Sequence, residues 1–600
     1  MSSFQNFEVT NDSKNVAPRL AMLRTQMRKQ KIDGFIIPRS DAHRGESVPK
    51  GDERLPWLTG FTGSAGMAII APKKAALFVD GRYVLQAPAQ TDSKLIEVVE
   101  APPAKLATWI KESFSKGAKI GFDAWLHTPA EIKKLEKELK GFAKLQAVKN
   151  PIDMVWKDRP APPFGNIEFL GVERSGKVAS EKLAQLQATI ANRNCEAIIL
   201  TLPENICWLF NMRGRDVPNT PLVLSFATVP VVGTPTLYLE DKNIGHDSLI
   251  ALDAIAHLAS KDEFINDIKK LTNPSARIWL DEASAPQKIA QIIKKSESKI
   301  FNQADPVLVM KAKKNATELK GMKHAHLLDG IAMVKFLCWF DKYVGSSKLT
   351  EIDIVKSLEN FRREEKTLVD ISFDTIAGAG ANGAIVHYRV NEKSNRKLKK
   401  GELMLVDSGG QYLSGTTDIT RTLYTGSASK EQKQRYSEVL KGMIALSLAR
   451  FPKGTSGTQL DTLARQFLWQ NGLNYNHGTG HGVGAFLSVH EGPYGISPRA
   501  NLALKAGTIL SNEPGFYKEG EYGIRIENLV HVKESTIGED FLEFETLTLA
   551  PIDKRLIEQK TLRKIEINWL NNYHQIVWDM LSEHLEDKER AWLEEATKGI

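Results

Sequence analysis

The sequence predicts an α/β protein (in part α+β) in which two copies of one α/β plan precede a third domain of alternating helices and strands. Three observations carry that expectation. The chain has 600 residues, too many for one hydrophobic core, so three or four domains are expected. Markers of a helix followed by an apolar strand recur 163 positions apart, at Leu20 and Leu183, Leu23 and Leu186, and Ile37 and Leu200. Further on, the apolar run Leu403–Val406 leads through Asp407 and a Gly-rich turn into a β-branched run around Asp418. That is the pattern of a β-hairpin with an acid on each arm.

The first copy begins with helical periodicity through Leu20, Leu23 and Met27, followed by the strand Gly34–Pro38. The second has Leu183 and Leu186, then Ala197–Leu200, and Trp208-Leu209-Phe210 echoes Trp57-Leu58-Thr59. Ile37 to Trp57 is 20 steps and Leu200 to Trp208 is 8, so the first copy carries a loop about 12 residues longer. That loop holds Asp41, His43, Arg44 and Glu46. Two copies imply a duplicated domain, because a solenoid needs at least three repeats. The prolines of Asn150–Pro163 mark an extended linker between the copies. After Asp305-Pro306, Asn315 and Glu318 have capping-box spacing and open a long helix reaching Trp339-Phe340. The expected boundaries are 1–160, 161–305, 306–553 and a helical extension, 554–600, rich in Trp and Tyr.

Composition excludes several function classes. Eighty basic against 72 acidic residues give a net charge of +8, spread along the chain without basic blocks interleaved with aromatics. A nucleic-acid partner is therefore not expected. Cys195, Cys207 and Cys338 form no CxxC pair, which argues against disulfides and thiolate zinc and fits a reducing compartment. The first residues lack a basic stretch followed by an apolar one, and no apolar run is long enough to span a bilayer. A cytoplasmic enzyme or scaffold, with no membrane association, is the expectation.

Chemically suggestive residues concentrate in the third domain. Carboxylates inside apolar strands are costly unless something cancels their charge. On the hairpin alone, Asp407 and Asp418 are either a cation site or two unrelated acids on a solvated surface. Three further stretches join them. Asn476–Glu491 sets His477, His481 and His490 among glycines, Thr508–Gly515 ends an apolar strand at Glu513, and Gly523–Val530 puts Arg525 and Glu527 on one face by alternation. A Glu in a central strand needs a partner, and Arg525 alone can serve. Taken together, Asp407, Asp418, Glu513, Glu527 and His481 would balance two divalent cations, and their oxygen-rich donor set suits Mn(II), Co(II), Fe(II) or Zn(II).

The order and context of these residues resemble the pita-bread metallohydrolases of family M24, and within them the three-domain, cytosolic branch of the aminopeptidase P (Xaa-Pro aminopeptidase) family. The resemblance rests on Ser372–Ile376, Asn382–Tyr388, Asp407–Gly410, Thr417–Thr422, His477–Gly484 and Ser511–Tyr517. It implies two creatinase-type N-terminal α/β domains before a pita-bread catalytic domain. It also implies two divalent ions per subunit, manganese first, with cobalt or zinc as alternatives. Asp407 would chelate the first ion, Asp418 and Glu527 would bridge, and His481 and Glu513 would complete the second. A hydroxide held between the ions would attack the scissile carbonyl, with Glu513 as general base. His387 and His490 would contact that carbonyl, His477 would line the proline pocket, Phe373 would wall the first side chain, and Arg525 would orient the ligand carboxylates. The implied substrates are peptides with proline second, and the implied assembly is a homodimer.

An Xaa-Pro bond is a tertiary amide with no N–H, so a site that polarises the carbonyl suits it. Two other readings stand beside this one: prolidase-like dipeptide hydrolysis, and a binding scaffold that reuses the fold. The loop Asp41-Ala42-His43-Arg44-Gly45-Glu46-Ser47 departs from the family pattern at Arg44 and Ser47, where the family usually has Gln and Tyr.

Overall fold

A computed structural model describes residues 4–10, 12–102, 105–240, 243–345 and 348–600. The chain divides into two compact units, Thr10–Leu308 and Val309–Ile600, and residues 4–9 belong to the second.

The first unit holds the duplication. One six-stranded sheet has the spatial order Glu97–Glu100, Ala75–Val79, Met67–Ile70, Gly34–Pro38, Lys119–Phe122, Lys144–Ala147. The other runs His257–Ser260, Thr236–Leu239, Ser225–Pro230, Ala197–Leu200, Arg277–Leu280, Lys299–Asn302. In both, the two central antiparallel pairs are flanked by parallel pairs. The repeated apolar runs are thus the same strand of the same topology, buried along their whole length, as strands covered on both faces must be.

The linker differs from the expectation. Its prolines do not keep it extended throughout: Ile152 and Trp156 are buried in the core of the first sheet, and Trp57 stacks on Trp156. Arg54, itself buried, grips Asp153 through two nitrogens and Asp52 through a third. Apolar side chains within the segment outweigh the extending effect of the prolines around them.

The second unit contains the expected helix, Ala316–Tyr343, and Asn315 and Glu318 make both bonds of the capping box. This helix buries Met333, Phe336, Leu337 and Phe340 against the strands Ile376–Ala379, Leu403–Ser408 and Ile419–Tyr424. Those strands form one antiparallel sheet, with Leu403–Ser408 central. A six-stranded sheet carries the remaining chemistry, in the order Arg450–Pro452, Phe541–Thr546, Asn528–Glu534, Ile509–Asn512, Gly480–Gly482, Glu491–Ile496. Helices Lys430–Ser447 and Gly457–Trp469 supply much of the core, and the tail helix Lys564–Leu581 joins it through Leu570, Tyr573, Val577 and Leu581.

The segment before Val9 is stitched to this unit. Gln5 is buried, and its side-chain amide accepts from Thr375 N at 2.8 Å and donates to Thr375 O at 3.4 Å. The backbone N–H groups of Phe4 and Gln5 donate to Glu359.

Candidate metal centre

The hairpin predicted around Asp407 and Asp418 forms, but it splits. Its base pairs Asp407 with Thr420 and Ser408 with Ile419 in one sheet, whereas its tip pairs Gln411 with Thr416 in another. Asp418 falls in the gap between Gly415–Thr416 and Ile419–Tyr424, off the ladder. Gly409 makes the switch between sheets, because a Cβ there would lie 2.0 Å from Thr417 O. Asp407 and Asp418 are both buried.

His481 enters from Gly480–Gly482, where the register shifts between His481 and Gly482. Gly480 lets this strand press on the next one, since a Cβ there would sit 1.9 Å from Ser511 O. Nδ1 of His481 lies 3.0 Å from Gly482 O; donating its proton there leaves Nε2 as the outward atom, the arrangement of a metal-ligating histidine. Nε2 is 3.4 Å from Asp418 Oδ2 and 3.4 Å from Glu513 Oε1. Asp418, His481 and Glu527 each offer a ligand atom, all within 4.8 Å of one another. Glu527 follows the strand Tyr522–Arg525, and its backbone N–H is fixed by Thr420 O at 3.1 Å.

The alternation that put Arg525 and Glu527 on one face is realised through Thr420. Its hydroxyl donates to Glu527 Oε2 at 2.7 Å and accepts from Arg525 Nε at 3.2 Å. Arg525 donates Nη2 to Asp407 Oδ2 at 2.6 Å and Nη1 to the Tyr517 hydroxyl at 2.5 Å. The Tyr517 hydroxyl lies 2.9 Å from His477 Nε2. Burial pushes that phenol up to about 12, so it stays protonated and donates to the imidazole. A chain of side chains thus links His477 to Asp407. Tyr517 and Thr420 had no role assigned from sequence, although both lie inside motifs that carry the resemblance. Thr420 had a signal: it stands two residues after Asp418 on an alternating strand.

Other expected residues are less central. His387 is half-buried between Val386, whose carbonyl accepts from Arg525 at 3.3 Å, and the buried Tyr388. The exposed His490 sets its ring edge-on against His481, with centroids 4.2 Å apart at 85°. Phe373 is half-buried, beside Ser372, whose hydroxyl donates to Thr417 O.

The electrostatics of the cluster ask for positive charge. Burial raises Asp407, Glu513 and Glu527, and Asp418 raises all three further; Arg525 opposes the rise at Asp407 and His481 opposes it at Glu513. For His481, burial pulls the imidazole down, but the hydrogen bond to Asp418 and the charge of Glu513 outweigh it and lift it to about 9. Asp407 Oδ1 and Glu527 Oε1 are buried without a hydrogen-bond donor. Orphaned buried acceptors, mutually repelling carboxylates and an outward imidazole nitrogen fit divalent cations.

The chain is similar to known proteins along nearly its whole length. Residues 320–534 match metallopeptidase family M24, and 540–600 match the C-terminal region of peptidase M24. Residues 19–155 and 158–318 each match the creatinase/prolidase N-terminal domain. A probable Xaa-Pro aminopeptidase P of Aspergillus fumigatus is 38% identical, covering 98% of this chain and 93% of that one. One of Paracoccidioides brasiliensis is 37% identical over 98% of this chain and 99% of the relative. The crystal structure of X-prolyl aminopeptidase from Caenorhabditis elegans, described as a cytosolic enzyme with a di-nuclear active site, superposes with a TM-score of 0.93. It is 34% identical and covers 98% of this chain and 100% of its own.

Proposed function

The chain belongs to metallopeptidase family M24, and from that premise we propose that it is an aminopeptidase that cleaves the N-terminal Xaa-Pro bond of peptides. The observation that carries this reading is the convergence of Asp418, His481 and Glu527 within 4.8 Å, with Glu513 a further 3.4 Å contact of His481. Asp407 would hold one ion, Asp418 and Glu527 would be shared, and His481 and Glu513 would complete the second, with manganese the expected metal. Two such ions would supply the electrophile that polarises the scissile carbonyl and an acidified water as nucleophile.

The remaining work falls to side chains. Glu513 would receive the water's proton as general base. Ser511 donates to Glu513 Oε1 at 2.9 Å and holds that carboxylate in place. His387 and His490 donate to the carbonyl oxygen as it gains negative charge. His477, held by Tyr517 at Nε2, lines the space for the proline ring, and Phe373 borders the first side chain. Arg525 opposes the rise that burial imposes on Asp407 and aims its carboxylate. Nothing in this set requires a substrate N–H, which the tertiary amide lacks.

A cytosolic homodimer is part of the same proposal; the Caenorhabditis elegans protein is described as cytosolic, and among the described residues no helix is long and apolar enough to cross a membrane. The test is a comparison of turnover on an Xaa-Pro dipeptide and on a longer Xaa-Pro-Xaa peptide. The longer substrate should be preferred; strong preference for the dipeptide would replace this reading with a prolidase-like one.

A further inference from the structure

We propose that Lys311 and Lys314 are positioning residues for the hydrolysis, acting through Glu491 on His490. The proposal rests on the reading of His490 as a group that meets the substrate carbonyl.

His490 and Glu491 are neighbours with opposite surroundings. The imidazole is exposed, whereas the Glu491 side chain is 1% exposed. Lys311 Nζ donates to Glu491 Oε1 at 2.7 Å and Lys314 Nζ donates to Oε2. The lysine side chains are themselves 2% and 1% exposed. Three buried ions add little net stability, because the cost of taking them out of water offsets their attraction. What they do fix is geometry, and that geometry is delivered at the site.

Glu491 opens the strand Glu491–Ile496 and pairs with Gly482 across the irregular register beside His481. Its backbone and carboxylate lie against the glycine-rich chain on both sides of Val483. A Cβ on Gly482 would fall 2.2 Å from Glu491 O, and one on Gly484 would fall 3.1 Å from Glu491 Oε1. Pinning the carboxylate therefore fixes the backbone from which His490 stands and the edge-on packing of its ring on His481. The lysines reach it from the helix Val307–Ala312 and from Lys314, whose own N–H is tied to Gly507 O at 2.9 Å. His387 is held by a parallel device: the next residue, Tyr388, is buried and its hydroxyl donates to the buried Glu351 at 3.0 Å. Each imidazole is thus exposed or half-exposed while its C-terminal neighbour is locked in the interior.

The experiment uses the full chain loaded with manganese and steady-state kinetics on an Xaa-Pro-Xaa peptide, for wild type, Lys311→Met, His490→Ala and the double variant. Displacement of a catalytic group by a fraction of an ångström to 1 Å costs about ten- to a hundredfold. Lys311→Met should therefore lower kcat by about tenfold or more, with KM within about threefold and metal content unchanged. In the His490→Ala background the same substitution should add less than about twofold. Multiplicative losses in the double variant, a loss confined to KM, or an unchanged kcat in folded Lys311→Met each overturn the proposal. Unchanged kcat in His490→Ala overturns instead the reading on which it rests. Should Lys311→Met fail to fold, Glu491→Gln, which preserves shape, takes its place. Its loss of kcat should again vanish in the His490→Ala background, and a loss that persists there refutes the proposal.

Discussion

Buried acids are handled differently in the two units of this chain. In Thr10–Leu308, burial is the main cause that raises Asp41 and Asp305, with smaller contributions from Asp52 at the first and from Asp281 and Glu204 at the second. Asp305 is satisfied by Asn205 Nδ2 at 2.6 Å and Val307 N at 2.9 Å, and one oxygen of Asp41 accepts from His43 N at 2.9 Å. Burial lifts both to about 6; the donors to Asp305 are neutral, and Asp41 Oδ2 is left without one. In the second unit Asp418 and Glu527 bring ligand atoms within 4.8 Å of one another and of His481, Asp407 and the half-buried Glu513 are near enough to feel their charge, and Asp407 Oδ1 and Glu527 Oε1 have no donor. Asp41 and Asp305 are met by backbone and amide donors, whereas four carboxylates close enough to repel one another fit a site for positive charge. Charge balance within the interior, more than burial itself, separates the two cases.

The widest separation between the cases should come from Asp418→Ala. It removes a carboxylate expected to serve both ions, so turnover of an Xaa-Pro-Xaa peptide should fall by at least about a thousandfold and bound metal should drop at both positions. Asp407→Ala should be no more damaging. Elemental analysis beside kinetics checks both, and full activity in Asp418→Ala would falsify the metal-centred account.

Tyr517→Phe is a milder probe. It removes the hydroxyl between His477 and Arg525 while keeping the ring, and losing a hydrogen bond to a charged group should cost about tenfold in kcat/KM. An effect on substrates with proline second that matches the effect on other peptides would show that His477 does not line a proline pocket.

Asp305 predicts a pH signature instead of a loss of activity. Asp305 has a folded value, about 6, above its unfolded value of 3.8. The folded state therefore binds more protons between these values, so this group's contribution is fully present below pH 3.8 and is lost as pH rises to about 6. The slope is at most about 1.4 kcal/mol per pH unit. Denaturant titrations of wild type and Asp305→Asn across that window should differ by this slope. Identical pH profiles would mean that the acid is not held protonated.

The smallest effect is expected from Gln5→Ala. The two bonds to Thr375 border the loop carrying Phe373, and their loss should cost about 1–3 kcal/mol while kcat changes little. Thermal unfolding and kinetics together check this.

Much of the fold was legible because it is local. The apolar runs of the duplicated sheets, the capping box at Asn315 and the paired arms of the hairpin all announce themselves within about ten residues. The acids and histidines of the centre are visible as residue types in unusual surroundings, and the resemblance to a family ordered them. What local pattern does not carry is pairing across the chain. Glu491 looks like any acid after a histidine until Lys311 reaches it from 180 positions away. Tyr517 reads as a strand aromatic until Arg525 and His477 meet on its hydroxyl. The segment around Ile152 and Trp156 looked like a linker because prolines are a strong local signal, whereas the core it fills is assembled from residues far along the chain.

The most direct test of the central claim is activity on an Xaa-Pro-Xaa peptide after chelation, followed by re-addition of single metals. The account predicts that chelation abolishes turnover, that manganese restores it, and that the matched peptide with alanine second is cleaved far more slowly throughout. Turnover that survives complete metal removal, or restored activity that ignores the proline, would contradict it.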